Sequence, residues 1–232
     1  MLQRFLKIIF ESLLEVFLIL LYTPLGVIAF IFSGKEETHT QVNGKTIILV
    51  EWWTNPNIIH RFWKRYLERK RFNVYLVSFS LLRGSFQESA EKLKQFIDEK
   101  KLHNITLVGL STGSVTALLY LQEFDGWKQV KKFIAVAGPF HGTPLVLPLA
   151  FFPSVRELLP ESKFLRALLS KPVKHTEKIT ILNAKMDEMV PLWSRILPNV
   201  KQEIIDIYGH NNLHIYSKST YDMIARYAAE PR

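Results

Sequence analysis

Asn104-Ile-Thr-Leu-Val-Gly-Leu-Ser-Thr-Gly-Ser-Val-Thr-Ala-Leu-Leu-Tyr-Leu121 is the stretch on which the reading of this chain turns. Its first half is short, apolar and β-branched, which predicts a buried central strand ending near Leu110. Its second half, from Ser114, has the length and residue types of a helix. Ser111 therefore falls on a sharp strand-to-helix turn. Such a turn tolerates only small residues two places to either side, and Gly109 and Gly113 supply them. The turn would lift the Ser111 hydroxyl above the sheet edge and aim a helix N-terminus at the same point.

Outward from this turn, strand and helix patterns alternate. Thr46–Val50, Asn73–Phe79, Lys132–Ala137, Lys178–Asn183 and Gln202–Tyr208 join 104–110 as six strands. Helical stretches fall at about 58–70, 86–101, 114–123 and 220–229. Near-continuous apolar strands separated by amphipathic helices predict an α/β fold, a mostly parallel sheet of about six strands covered by helices on both faces. Pro144 to Glu177 breaks the rhythm as an insertion longer than an ordinary connection.

The chain has 232 residues, enough for one domain with a sizeable core and an appendage. Its 48% hydrophobic content is at the high end for such a domain, and the excess is concentrated at the N-terminus, where Val16 to Phe32 carries no charge. As a helix this run rises roughly 26 Å, just enough for a hydrocarbon core about 30 Å thick. Residues 1–34 are read as an uncleaved anchor helix, 35–44 as a linker and 45–232 as the folded domain, with 144–177 as a lid-like insertion. The alternative for the N-terminus is a helix lying in the membrane interface with Glu11 and Glu15 on its wet side. Arg4 and Lys7 precede the apolar run, which hints that the folded domain lies on the non-cytoplasmic side. Zero cysteines rule out disulfides and thiolate metal sites. The formal charge of +9 belongs to residues after 34, since Arg4, Lys7, Glu11 and Glu15 cancel. Its basic clusters would be drawn to anionic lipid or nucleic acid, or else are solvated helix ends, and no nucleic-acid-binding signature accompanies them. Oligomeric state is not legible.

A serine hydroxyl is a poor nucleophile unless a base and an orienting carboxylate stand beside it. In a sheet of this order both should come from loops after later strands, carboxylate first and histidine last. Asp187 follows the fifth strand and His210 the sixth. Glu188 is the neighbouring competitor for the carboxylate and His214 the competitor for the base. Asp98, Asp125 and Asp222 fall on helices or their ends, and Asp206 falls inside a strand. His39, His60, His103 and His175 read as surface or linker positions. His141 follows the fourth strand and reads as packing around the site.

With these residues in place, the chain from about Lys45 onward resembles the α/β-hydrolase superfamily, nearest its lipase and esterase branch. Gly109-Leu-Ser-Thr-Gly113 is similar to its nucleophile elbow, and Ala137-Gly-Pro-Phe-His-Gly-Thr-Pro144 to a segment after the fourth strand of many such lipases. Pro153 to Leu168 resembles the helical piece that comes next. Asp187 with Val190-Pro191, and Gly209-His210 with Leu213, match the acid and base segments. The resemblance implies an acyl-enzyme on Ser111, His210 as general base then acid, Asp187 as its orienting carboxylate, and a lipid-like or hydrophobic carboxylic ester as substrate. An acyltransferase or thioesterase would use the same three residues. A weakened scaffold acting as a membrane binding module is the non-enzymatic alternative. No metal or organic cofactor is implied.

One departure concerns the oxyanion hole. Where the family places His-Gly after the first strand, this chain has Glu51-Trp52. Thr112 N–H is the expected first donor, and Trp53, or Trp52 in a shifted register, the second. A hole short of one donor costs about 2.7–4 kcal/mol, and a nearby Glu51 carboxylate would oppose a developing oxyanion. The apolar run Leu145 to Phe152, with Leu145, Leu147, Phe151 and Phe152, reads as an acyl-chain wall or lid, or else as a loop capping the core.

Overall fold

A computed structural model describes residues 6–18, 44–52, 58–79 and 84–230. Six strands build one sheet: β1 (Thr46–Trp52), β2 (Asn73–Phe79), β3 (Ile105–Leu110), β4 (Val130–Val136), β5 (Ile179–Met186) and β6 (Lys201–Tyr208). Among the described residues, seven α-helices accompany them: α1 over residues 6–18, then α2 (Ile58–Arg69), α3 (Phe86–Glu99), α4 (Gly113–Glu123), α5 (Pro153–Glu157), α6 (Lys163–Leu169) and α7 (Lys218–Ala229). The strand order is β2-β1-β3-β4-β5-β6, and every neighbouring pair is parallel.

The period-two alternation of the strands sends side chains into two cores. Ile48, Val50, Leu107 and Phe133 pack under α3 to α6, while Ile47, Leu49, Val108 and Ile134 pack under α2 and α7. Helix starts follow the local chemistry. Ser85 caps α3 by accepting from the Glu88 N–H at 3.1 Å, and Ser217 caps α7 by accepting from Thr220 N–H.

The chain leaves β1 toward one sheet edge to make β2 and then crosses back to β3 on its other side. β1 and β3 are therefore neighbours whose onward connections lead to opposite sides of the strand order, the switch point at which open α/β sheets bind ligands. Ser111 follows β3 at this switch point. β5 runs to Met186, three residues past its expected end, so Asp187 comes directly off the strand.

The insertion 144–177 is of two kinds. Its helices α5 and α6 bury Val155, Leu158, Leu165 and Leu168 in the core, and Phe152 packs against that core. Leu145, Leu147 and Phe151 are exposed. The helical half and Phe152 thus pack on the core, as in the core-capping alternative, while Leu145, Leu147 and Phe151 remain open to solvent.

Most of the apolar run 16–32 and the linker 35–43 lie outside the described residues. Among the described residues, no helix is long and apolar enough to cross a membrane. Helix α1 itself docks on the domain, and with the face that the interfacial alternative placed in water. Glu11 and Glu15 are buried, at 9% and 4% exposure, while Leu6, Phe10, Leu13 and Phe17 are more than half exposed. The wet-side assignment of Glu11 and Glu15 is therefore overturned: the domain supplies backbone N–H partners for those carboxylates and few apolar ones for the rest of the helix.

Candidate active site

Ser111 takes φ 51°, a left-handed conformation unusual for a residue with a Cβ. Its own N–H donates to the Val136 carbonyl at 2.8 Å, so the turn is pinned to β4. A Cβ at Gly113 would overlap the Val50 carbonyl oxygen, and one at Gly109 would overlap the Ser114 backbone. Both glycines let α4 start hard against β1 and β3. Thr112, next after Ser111, already has helical φ −59° and ψ −24° and opens α4.

The ends of β5 and β6 bring the other residues in. Gly209 N–H donates to the Met186 carbonyl at 2.9 Å, joining the two strand ends. Gly209 then turns at φ 106°, which a side chain would resist. This places His210 Nε2 at 2.8 Å from Ser111 Oγ. On its other side, His210 Nδ1 lies 2.8 Å from Asp187 Oδ2. Asp187 Oδ1 accepts from the N–H groups of Met189 and Val190 at 3.0 and 2.8 Å. The carboxylate therefore has fixed partners on both oxygens, and its side chain is wholly buried.

Burial alone would favour the neutral forms of this pair. It is outweighed: beside the Asp187 charge and hydrogen bond, with Glu188 and Glu15 adding to it, the His210 imidazole is held above its ordinary value. Asp187, for its part, is pushed up by burial but more strongly down by His210, the Val190 N–H and Arg195, and ends below its ordinary value. Glu188 does not take Asp187's place. Its carboxylate accepts from the His210 backbone N–H at 3.3 Å, not from the ring.

His214 lies in the π-helical turn Asn212–Tyr216, edge-on to the His210 ring at 5.0 Å and stacked on His60 at 6.0 Å. Burial, then the charges of His210 and His60, keep it well below its ordinary pKa. His60 is not the surface residue expected. It is 6% exposed on the inner face of α2 and pairs with Glu51. Glu51 also accepts from Ser78 Oγ at 2.6 Å. The carboxylate weighed as a threat to an oxyanion is thus turned toward α2 and β2 and engaged there. Trp52 ends β1 opposite Phe79, whereas Trp53 lies outside the described residues. His141 is half-buried, and its backbone N–H meets Ser194 Oγ at 3.3 Å. Among the described residues no group of three or more His, Asp or Glu is arranged to hold a metal ion.

Sequence reasoning missed two clusters: the pair of α1 carboxylates around the His210 loop, and the Glu51–His60–His214 row behind it. For the first, a signal was present, since Glu11 and Glu15 are four apart in an apolar run and so share one helix face.

No family model matches the chain, and no curated protein matches it. Solved structures do. A carboxylesterase structure of Nitrososphaera gargenis superposes with TM-score 0.60 at 11% identity, covering 84% of this chain and 93% of that one. The esterase EaEST of Exiguobacterium antarcticum gives 0.58 at 15% identity over 84% and 94%. A bromoperoxidase of Bacillus anthracis gives the same score, identity and coverage. Likeness at this identity speaks of architecture. With its all-parallel sheet, its strand order and Ser111 at the turn after β3, the chain has the α/β-hydrolase fold.

Proposed function

We propose that the protein is a serine hydrolase of hydrophobic carboxylic esters, attached to a membrane through its N-terminal segment. The observation that carries the chemistry is the unbroken array Asp187–His210–Ser111, each link 2.8 Å, with the serine on a left-handed turn. Solved structures of the same fold that are described as esterases or carboxylesterases support the ester class.

In this reading Ser111 Oγ attacks the ester carbonyl carbon as His210 Nε2 takes its proton. The tetrahedral oxyanion is met by the Thr112 N–H at the start of α4, with Trp53 or Trp52 as second donor. Collapse breaks the C–O bond, and the imidazolium returns the proton to the leaving alkoxide. Water then attacks the acyl-Ser111, again losing a proton to His210, and the carboxylic acid departs with Oγ reprotonated. Asp187 stays ionised throughout and stabilises the imidazolium. An acyltransferase or thioesterase differs only in the group that leaves or attacks.

The test is labelling by a fluorophosphonate. The probe should form one adduct on the peptide containing Ser111. His210 must be neutral to accept the proton, and its pKa is raised. The labelling rate should therefore fall with decreasing pH along a limb lying above the ordinary imidazole value of about 6.5. Folded protein that takes no label at Ser111 overturns the reading.

The membrane part rests on α1. Its outward side, Leu6, Ile9, Phe10, Leu13, Val16 and Phe17, is apolar and between 40% and 66% exposed. It leads into the uncharged run to Phe32, so a lipid bilayer is the occupant that continues the same chemistry. Exposed Leu145, Leu147 and Phe151 offer a second apolar patch for acyl chains. Extracted with carbonate, the protein should remain with membranes, and protease accessibility then reads which side the domain occupies. Full release into the aqueous phase defeats the attachment.

A further inference from the structure

We infer that Glu15 of helix α1 is a positioning residue for His210, holding the loop that carries the imidazole against Ser111. This rests on the serine-hydrolase reading above.

His210 begins a helical turn that runs through Tyr216, and the first N–H groups of any such turn lack intrahelical acceptors. Here carboxylates from elsewhere in the chain supply them. Glu15 Oε1 accepts from the Asn211 N–H and from Asn211 Nδ2, both at 2.8 Å, and Glu15 Oε2 accepts from the Asn212 N–H at 2.8 Å. One turn earlier, Glu11 Oε2 accepts from the Tyr208 N–H at 3.0 Å, and the Glu11 carbonyl accepts from Asn212 Nδ2 at 2.7 Å. Glu188 takes the His210 N–H. Every backbone N–H from 208 to 212 is thus fixed, three of them by α1. The fit is close, since a Cβ on Gly209 would overlap the Glu15 carboxylate. A loop whose N–H groups end on charged acceptors is held by strong, directional bonds, and negative charge suits the N-terminal end of a helical turn.

The same carboxylate bears on the proton chemistry. Around His210 stand Asp187 and Glu188 from the loop after β5, Glu15 from α1 and His214 from its own turn, with His60 of α2 behind His214. Glu188, pressed by burial and then by the hydrogen bond and charge of Glu15, is pushed up to about 7. Glu15 also adds to the charges that raise His210. Removing the Glu15 charge should therefore lower the His210 pKa as well as loosen its loop. Glu15→Gln leaves the other ties of α1 in place, through Glu11 and Lys7, so a limb moved in that variant reports the lost charge.

The experiment compares native whole protein with Glu15→Gln, Glu15→Asp and Lys7→Gln. Lys7 ties the other end of α1 to Asp206 at 2.9 Å and does not touch the His210 loop. Fluorophosphonate labelling is followed against pH, and amide exchange of peptides spanning 208–216 is followed at one pH. Glu15→Gln should slow labelling by about 10- to 100-fold, move the acid limb to lower pH, and speed exchange across 208–212 with β3 unchanged. Glu15→Asp should fall between it and the native protein. Lys7→Gln should stay within about twofold of native with its limb unmoved. Native rate, limb and exchange in Glu15→Gln would overturn the inference, as would a Lys7→Gln that reproduces the whole effect. If native protein takes no label, the hydrolase reading fails instead. Exchange at 208–212 then still decides whether Glu15 holds the loop.

Discussion

Ser111→Ala should lower kcat/KM on a short-chain p-nitrophenyl ester by about 10⁵- to 10⁶-fold, to the level that substrate binding and backbone donors alone can sustain. The size follows from the position of Ser111 in the array. Its Oγ is the atom 2.8 Å from His210 Nε2, and alanine leaves that nitrogen facing an empty volume. The fold should be indifferent to the change. Ser111 is held at φ 51° by its N–H bond to Val136 and by the tight seating of Gly109 and Gly113, none of which uses the hydroxyl. Alanine carries the same Cβ strain as serine. Steady-state turnover together with thermal unfolding of both proteins checks this. A variant that unfolds as native does and retains more than a tenth of native turnover would remove Ser111 from the reaction.

The sheet was legible because most of its strands, β1 to β5, hold β-branched apolar runs. The elbow was legible because two glycines flank a serine where a strand hands over to a helix. What escaped the sequence were partnerships between distant residues. Glu11 and Glu15 sit in a run whose hydrophobicity dominates any local reading, and their acceptor role depends on N–H groups almost two hundred residues away. His60 looked like a surface residue on a basic stretch. Yet it lies three and seven residues before Trp63 and Leu67, the spacing of one helix face, and both of those are buried. Glu51 shares the parity of Ile47 and Leu49 along β1, which directs it under α2 with them. Periodicity carried that information, but the charge of the residue drew attention instead.

The fold does not choose the reaction. Structures of this architecture carry names as different as esterase and bromoperoxidase at equal TM-score, so function has to be argued from the site. The site's distinguishing feature is the concentration of carboxylates around one histidine. Asp187 reaches the ring, while Glu188 and Glu15 reach the backbone of its loop. Their charges act together on the imidazole, but their hydrogen bonds do different work, and substitution separates them.

Asp187→Asn isolates the part that only the ring feels. The asparagine carbonyl can still accept from the Met189 and Val190 N–H groups that Asp187 Oδ1 serves at 3.0 and 2.8 Å. The loop after β5 should therefore keep its shape. The amide nitrogen then faces His210 Nδ1 and donates to it, which forces the ring proton onto Nε2. That nitrogen can no longer accept from Ser111 Oγ, and kcat should fall by about 10⁴-fold. The acid limb of the rate profile should move to lower pH, because the largest of the charges that raise His210 is gone. Asp187→Ala should cost a similar factor in kcat and also lower the unfolding temperature, since it leaves the two loop N–H groups buried without an acceptor. Measuring kcat against pH and thermal unfolding for both variants separates tautomer from scaffold. An asparagine variant that turns over within tenfold of native would mean that the carboxylate is not what orients the base.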